Sequence, residues 1–592
     1  MKKLILPAAM AIAATGLAGD APAPARAVSP ETLAMLDPTR LAAQMCGSRR
    51  GASALGARLK LAAAVKSRSS AQPGARPFRV PAAIQLPVTS ANPAVREHVR
   101  RGLLLAYGFN HEAAILEFRA AQRLDPACAT CFWGEAYALG PNINAPMAPE
   151  ALGQAVAATA SAARLAGAAS PAERALIEAL ALRYSAAAGA GRAALDAAYA
   201  DAMLAAAARF PADDDIAVLA AEAAMDTRPW DYWEADGRTP KARIGEAVRL
   251  VETVLARRPD HPQAQHLLIH LVEASAQPRR AEAAADQLAA TPIPSAGHLV
   301  HMTAHIYFRL GRFADSIRAN VAAARADEAY LANSGPNPVY RFGYYPHNVH
   351  FVVTSAQMAG DMRTAIAEAA RLGRILNPEV SAQVGWLQPV HAAPYLAHAQ
   401  FASPEQILAL GPADARLPYV VAIRHYARAV ARAAQQDRAE FDRELGAVRA
   451  IRQDARLQAL VDQGVPARDL LGIAEETARG RYAFAAGRFD EAVRAYERAA
   501  AIEDTIPYME PPYWYYPVRQ SLGAALFRAG RHAEARTAFM AALARSPNNG
   551  WVLYGLAETE RALGHRVEAA AADQALRRAW LGDRRWLRMD RL

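Results

Sequence analysis

Ten of the fifteen histidines in this 592-residue chain lie between His261 and His398, less than a quarter of its length. Their spacing is helical. His266 and His270 are four apart, with Glu273 three further on. His298, His301 and His305 follow an i, i+3, i+7 pattern, and His347 and His350 are three apart. Residues three and four apart share a helix face. Imidazole is the commonest metal-binding side chain. Same-face histidines on successive helices, with a carboxylate beside them, make a donor set suited to zinc, copper or iron. The candidate ligands are therefore His266, His270, Glu273, His298, His301, His305, His347 and His350. Two other readings use the same residues. Histidines can pack in helix contacts with their ring nitrogens bonded to carbonyls or carboxylates, or they can form a metal-free ligand or acid–base site. The HExxH pattern is absent, because the helix reads His266-Leu-Leu-Ile-His270. A metalloprotease-type general base is missing from its usual place.

Cys128-Ala-Thr-Cys131 follows Pro126 at a helix start, where the helix dipole can lower a thiol pKa. A structural disulfide or a passive thiol pair is the preferred reading, ahead of redox catalysis or metal ligation. Phe132 stands where a c-type haem motif would need histidine. With Cys46 the cysteines number three, so one thiol is left over or pairs between chains.

The elements that position these residues are helical hairpins. A tetratricopeptide unit is about 34 residues long and consists of two antiparallel helices. A small residue in the first helix faces a small–aromatic–small pattern in the second, and proline closes the unit. Gly102, Ala114, Phe118, Ala121 and Pro126 fit this pattern, as do Gly523, Ala535, Phe539, Ala542 and Pro547. Gly480, Ala492, Tyr496 and Ala499 fit without the proline. One such pair cannot bury its own apolar face, so neighbours must stack. The expected fold is all-α, a right-handed superhelical solenoid of tetratricopeptide-like repeats. Roughly ten to thirteen repeats would fill residues 92–580. Aligning Gly311 with Gly360 places His298 with His347 and His301 with His350, at first-helix positions that line the concave face of such an array. Two aromatic, proline-rich segments interrupt the rhythm: Asn333 to Pro346 and Pro507 to Pro517. Each is either loop packing or one wall of a groove.

The expected organisation is a signal peptide at 1–27, a leader at 28–91, N-terminal repeats at 92–260, histidine-rich central repeats at 261–400 and C-terminal repeats at 401–592. Met1-Lys2-Lys3, the apolar run Leu4–Leu17 and Ala25-Arg26-Ala27 have the layout of a secretory signal, with cleavage after Ala27. That run is too short to span a membrane. The expected location is periplasmic or secreted. The net charge of +10 is spread along helices rather than gathered in blocks, and no nucleic-acid motif is present, so no nucleic-acid partner is expected.

Several segments together resemble a widespread family of uncharacterised exported bacterial tetratricopeptide-repeat proteins. They are Asp125 through Ala136 with Gly140-Pro141-Asn142-Ile143-Asn144; His261-Pro262 with His266 and His270; Gly297-His298 through Tyr307; Pro511 through Arg519; and Asn549-Gly550-Trp551 with Gly555-Leu556. Thr303 and Glu273 depart from that family, which more often has proline and aspartate there. The resemblance implies a solenoid and protein–protein interaction, and carries no reaction or cofactor. The expected function is a protein- or peptide-binding scaffold that uses its concave face. The alternative is a metal-binding protein, or a metalloenzyme, built on the central histidines.

Overall fold

The computed structural model describes residues 80–187, 191–291, 293, 296–333 and 340–592. The signal segment, Cys46 and most of the leader lie outside these residues. So does 334–339 of the first aromatic segment. Among the described residues there are twenty-six α-helices and no strand; the only extended pairings are two isolated bridges.

Local chemistry marks the helix ends. The first described helix, Pro93–Tyr107, starts with proline in its first turn and Asn92 capping Ala94 N–H. Proline suits that turn because its missing N–H has no helical partner there. Ser170 and Glu173 form a reciprocal capping box at the start of Pro171–Ala181. His261 does similar work, since its side chain accepts from Ala264 N–H at the head of Pro262–Glu273. Gly311 and Gly360 both end first helices with positive φ, 71° and 74°, a conformation that costs glycine nothing.

Packing follows the small–aromatic pattern. A Cβ on Gly102 would sit 2.8 Å from the Phe118 ring, and one on Gly523 would sit 2.7 Å from Phe539. Gly134 and Gly555 close over the same two rings from the next helix. Each aromatic therefore fills a slot that only glycine leaves open. Consecutive helices pack as hairpins along the chain, giving the all-α solenoid.

The array also folds onto its own middle. From the N-terminal end, Gly108 O accepts from Tyr340 Oη (2.7 Å). From the other end, Trp551 Nε1 donates to Gln357 O (2.8 Å) and Leu581 N to Ala359 O (2.9 Å). Two large apolar cores result. One runs from Val80 to Leu310, the other from Ala304 to Leu592, and they meet in helix Gly297–Arg309.

Candidate metal centre

That shared helix carries His298, His301 and His305. Helix Pro262–Glu273 brings His266, His270 and Glu273, and helix Tyr345–Ala359 brings His347 and His350. Six of the seven candidate histidines gather into two groups of three: His266, His270 and His298, then His301, His305 and His347. Within each group, one ligand atom per residue lies within 4.8 Å of the others.

The ring nitrogens have divided roles. His266 Nδ1 faces Gln263 Oε1 at 3.0 Å, and Gln263 Nε2 donates to Glu222, which fixes the amide orientation. His301 Nδ1 faces Asn320 Oδ1 at 2.7 Å, and Asn320 Nδ2 donates to Ser316 O. Glu273 holds both groups: one oxygen accepts from His270 Nδ1 (2.9 Å) and the other from His305 Nδ1 (2.6 Å). An acceptor behind Nδ1 fixes the tautomer and leaves the Nε2 lone pair for a cation. His298 Nε2 lies 3.2 Å from His266 Nε2, and His301 Nε2 lies 2.8 Å from His305 Nε2. His270 Nε2 is buried with no partner.

The 2.8 Å contact decides what the second group can hold. With both Nδ1 atoms donating, two lone pairs would face each other across it. Something positive must stand between them, a proton or a metal ion. Burial pushes the pKa values of His266, His298, His301 and His347 well below 6.5, and neighbouring histidines add to the effect. For His305, burial also opposes charge, but the Glu273 carboxylate outweighs it and raises the pKa. Glu273 is held far below the usual carboxylate range: burial opposes this, and His305 and His270 overcome it. Glu273 and His305 thus favour each other's charged forms inside the protein.

Aromatic rings wall the centre. Phe109 lies against His266 and His298, with ring centroids 5.1 and 4.8 Å away, and Trp230 meets His270 edge-on at 5.0 Å. Phe351 touches His301, His305 and His347. The C-terminal loop adds Tyr508, whose hydroxyl reaches Glu273 (3.2 Å) and Glu510 (2.7 Å). Glu510 can join Glu273 and His305 as a third donor set. Burial pushes its pKa up to about 7.

Two expectations change here. The histidines do not line an open concave face: His266 and His301 are fully buried, because segments from both ends of the array cover them. His350 does not join either group. It lies one turn beyond His347, and its Nε2 contacts Tyr515 Oη at 2.8 Å in the C-terminal loop. Burial lowers its pKa to about 3. Sequence spacing did not reveal Gln263, Asn320, Phe109, Trp230, Tyr508 or Glu510. Only the segment Pro507 to Pro517 gave a hint, as a possible groove wall. Cys128 and Cys131 are joined in a disulfide at the head of helix Ala129–Leu139, far along the chain from the histidines.

Residues 517–559 match the family model described as "Tetratricopeptide repeat". The chain carries a tetratricopeptide repeat. It spans the pair Val518–Arg528 and His532–Arg545, where Phe539 fills the glycine slot. No curated protein sequence is similar to the chain. Among solved structures, the human IFIT1 dimer with PPP-AAAA is 11% identical, over 82% of this chain and 91% of that one, with a TM-score of 0.27. The APC/C hetero-tetramer Cut9-Hcn1 is 14% identical over 82% and 96%, with a TM-score of 0.23. Likeness at this level transfers neither residue nor activity. No described helix is long and apolar enough to cross a membrane.

Proposed function

We propose that this chain is an exported tetratricopeptide-repeat protein that binds transition-metal ions in its central repeats. One observation carries the reading: six histidines, five buried and one half-buried, form two three-nitrogen groups, and acceptors behind Nδ1 hold four of them with Nε2 turned toward another ring or, at His270, without a partner. Packed structural histidines would instead satisfy both nitrogens with carbonyls or carboxylates, whereas here Nε2 atoms face one another. The donor set is nitrogen-rich and lacks thiolate, which suits copper or zinc better than a carboxylate-rich iron site. Glu273 acts behind the rings, orienting His270 and His305, rather than as a primary ligand. The signal-like segment at 1–27 and the Cys128–Cys131 disulfide support an oxidising, extracytoplasmic address.

Elemental analysis of untagged protein from periplasmic extract tests this. About one metal ion per histidine group is expected, and a His301→Ala/His305→Ala variant should lose most of it. Metal-free wild type whose melting temperature ignores added copper and zinc would overturn the reading.

A second role rests on a separate observation, the matched repeat at 517–559. Such repeats suit protein or peptide partners on stacked helical faces. A partner recovered from periplasmic extract, and lost on charge reversal of an exposed C-terminal helix, would support it.

A further inference from the structure

The two histidine groups are neighbours. His270 and His305 have ring centroids 6.2 Å apart, and His298 and His301 are 5.9 Å apart. One carboxylate, Glu273, holds a histidine of each. His298, His301 and His305 share one helix, so the two groups cannot move independently. Ions bound in both would sit in a common buried space.

Charge then limits what the pair can be. The ionisable groups facing that space, besides the histidines, are Glu273, Glu510, Tyr508 and Tyr344, whose ring centroid lies 4.8 Å from that of His298. Arg309 lies beside them: its Nε donates to Glu273 O (2.8 Å), and its guanidinium lies 5.4 Å from the Tyr508 ring centroid. At most two negative charges therefore meet one arginine. Two divalent ions would add four positive charges to this nearly dry space, while two monovalent ions would add only two. Buried charge without compensation is strongly unfavourable. All six primary donors are imidazoles, which bind a metal through the lone pair of the neutral ring, and copper is the ion of this class with an accessible monovalent state, one that nitrogen ligation stabilises against disproportionation.

Resting on the metal-binding reading above, we infer that the two groups hold a pair of copper(I) ions that act as one unit and take up dioxygen between them. The step balances: two Cu(I) and O2 give two Cu(II) and O2²⁻. Each copper loses one electron, and the dioxygen gains both. The pair gains two positive charges and the bound peroxide supplies two negative ones, so the net charge of the centre does not change. A copper pair oxidised without a bound anion would place four positive charges against at most two carboxylates. Three imidazoles leave a coordination position on each ion. The second group lies nearer solvent, since His347 is only half-buried and Tyr508 is 40% exposed.

The full-length mature chain, loaded anaerobically with copper(I), tests this. Two coppers per chain are expected. Admitting air should produce a new near-ultraviolet absorption band, with less than about a tenth of the copper visible by electron paramagnetic resonance, because the spins of a bridged pair cancel. Dithionite should remove the band. His347→Ala, which alters the least buried ligand, should give an isolated cupric signal once air is admitted, with an unchanged circular dichroism spectrum. Two full cupric spins per wild-type chain, or two coppers with no response to air, would overturn the paired centre and leave the metal-binding reading standing. Retention of no metal at all, zinc included, would overturn both.

Discussion

Helix Val518–Arg528 and helix Gly297–Arg309 are each the first helix of a hairpin, yet they bury different things. The C-terminal helix presents Gly523 to Phe539, and the next hairpin adds Gly555, so the contact is apolar and closely fitted. The central helix presents His298, His301 and His305 to imidazoles from two other helices and to Glu273. The first arrangement stabilises the fold directly, by removing a large ring from water. The second removes a charge and a set of lone pairs from water, a cost that a bound cation offsets. The C-terminal repeats thus serve as framework. The middle repeats hold a buried carboxylate between histidines of both groups, and on the proposed reading a bound cation would stabilise them further.

The contrast can be broken most severely at the framework. Phe539→Ala should cost about 3–5 kcal/mol, the usual loss for a buried phenylalanine. Denaturant unfolding measures it, and the loss should be the same with or without metal. The next effect belongs to the centre alone. Copper or zinc at about a hundred times its dissociation constant should add about 2.7 kcal/mol to wild type and nothing to His301→Ala/His305→Ala. A thermal shift of equal size in both would erase the contrast.

Glu273→Gln should cost about 1.5–3 kcal/mol in metal-free protein, because two charge-assisted hydrogen bonds weaken. It should also weaken metal binding more than it weakens the fold. His111 provides a control outside the centre. It lies near Asn142 (3.2 Å), and burial lowers its pKa to about 4. The unfolded chain binds a proton there near pH 6.5, whereas the folded chain does so only near pH 4. Stability is therefore lost as pH falls between those values. His111→Gln should flatten that loss by about 1–3 kcal/mol and leave metal content unchanged. Changed metal content would mean that His111, two residues from Phe109, reaches the site. The smallest effect is expected for Tyr508→Phe, about 0.5–1 kcal/mol for a partly exposed hydroxyl. Its main expected readout is faster metal exchange at the second histidine group.

Much of the framework was legible from spacing. Ala114, Phe118 and Ala121 fall on one face by helical period alone, and the glycines opposite them are the residues that fit. The pairs His266/His270 and His301/His305 were legible for the same reason, since four residues make about one turn. Pairing His301 with His350 by repeat alignment did not predict their surroundings. The alignment gives equivalent places in two hairpins, but His301 meets Asn320 and His305, while His350 meets Tyr515.

The sequence by itself determined the helices, their glycine–aromatic contacts and the faces that carry histidine, because these depend on residues a few positions apart. The tertiary structure alone decided that six histidines form two adjoining groups, that Glu273 joins them, and that Phe109, Trp230 and Tyr508 enclose them. Those partners come from up to 235 residues away in sequence. They meet because small rotations between successive repeats accumulate until both ends of the array close over its middle.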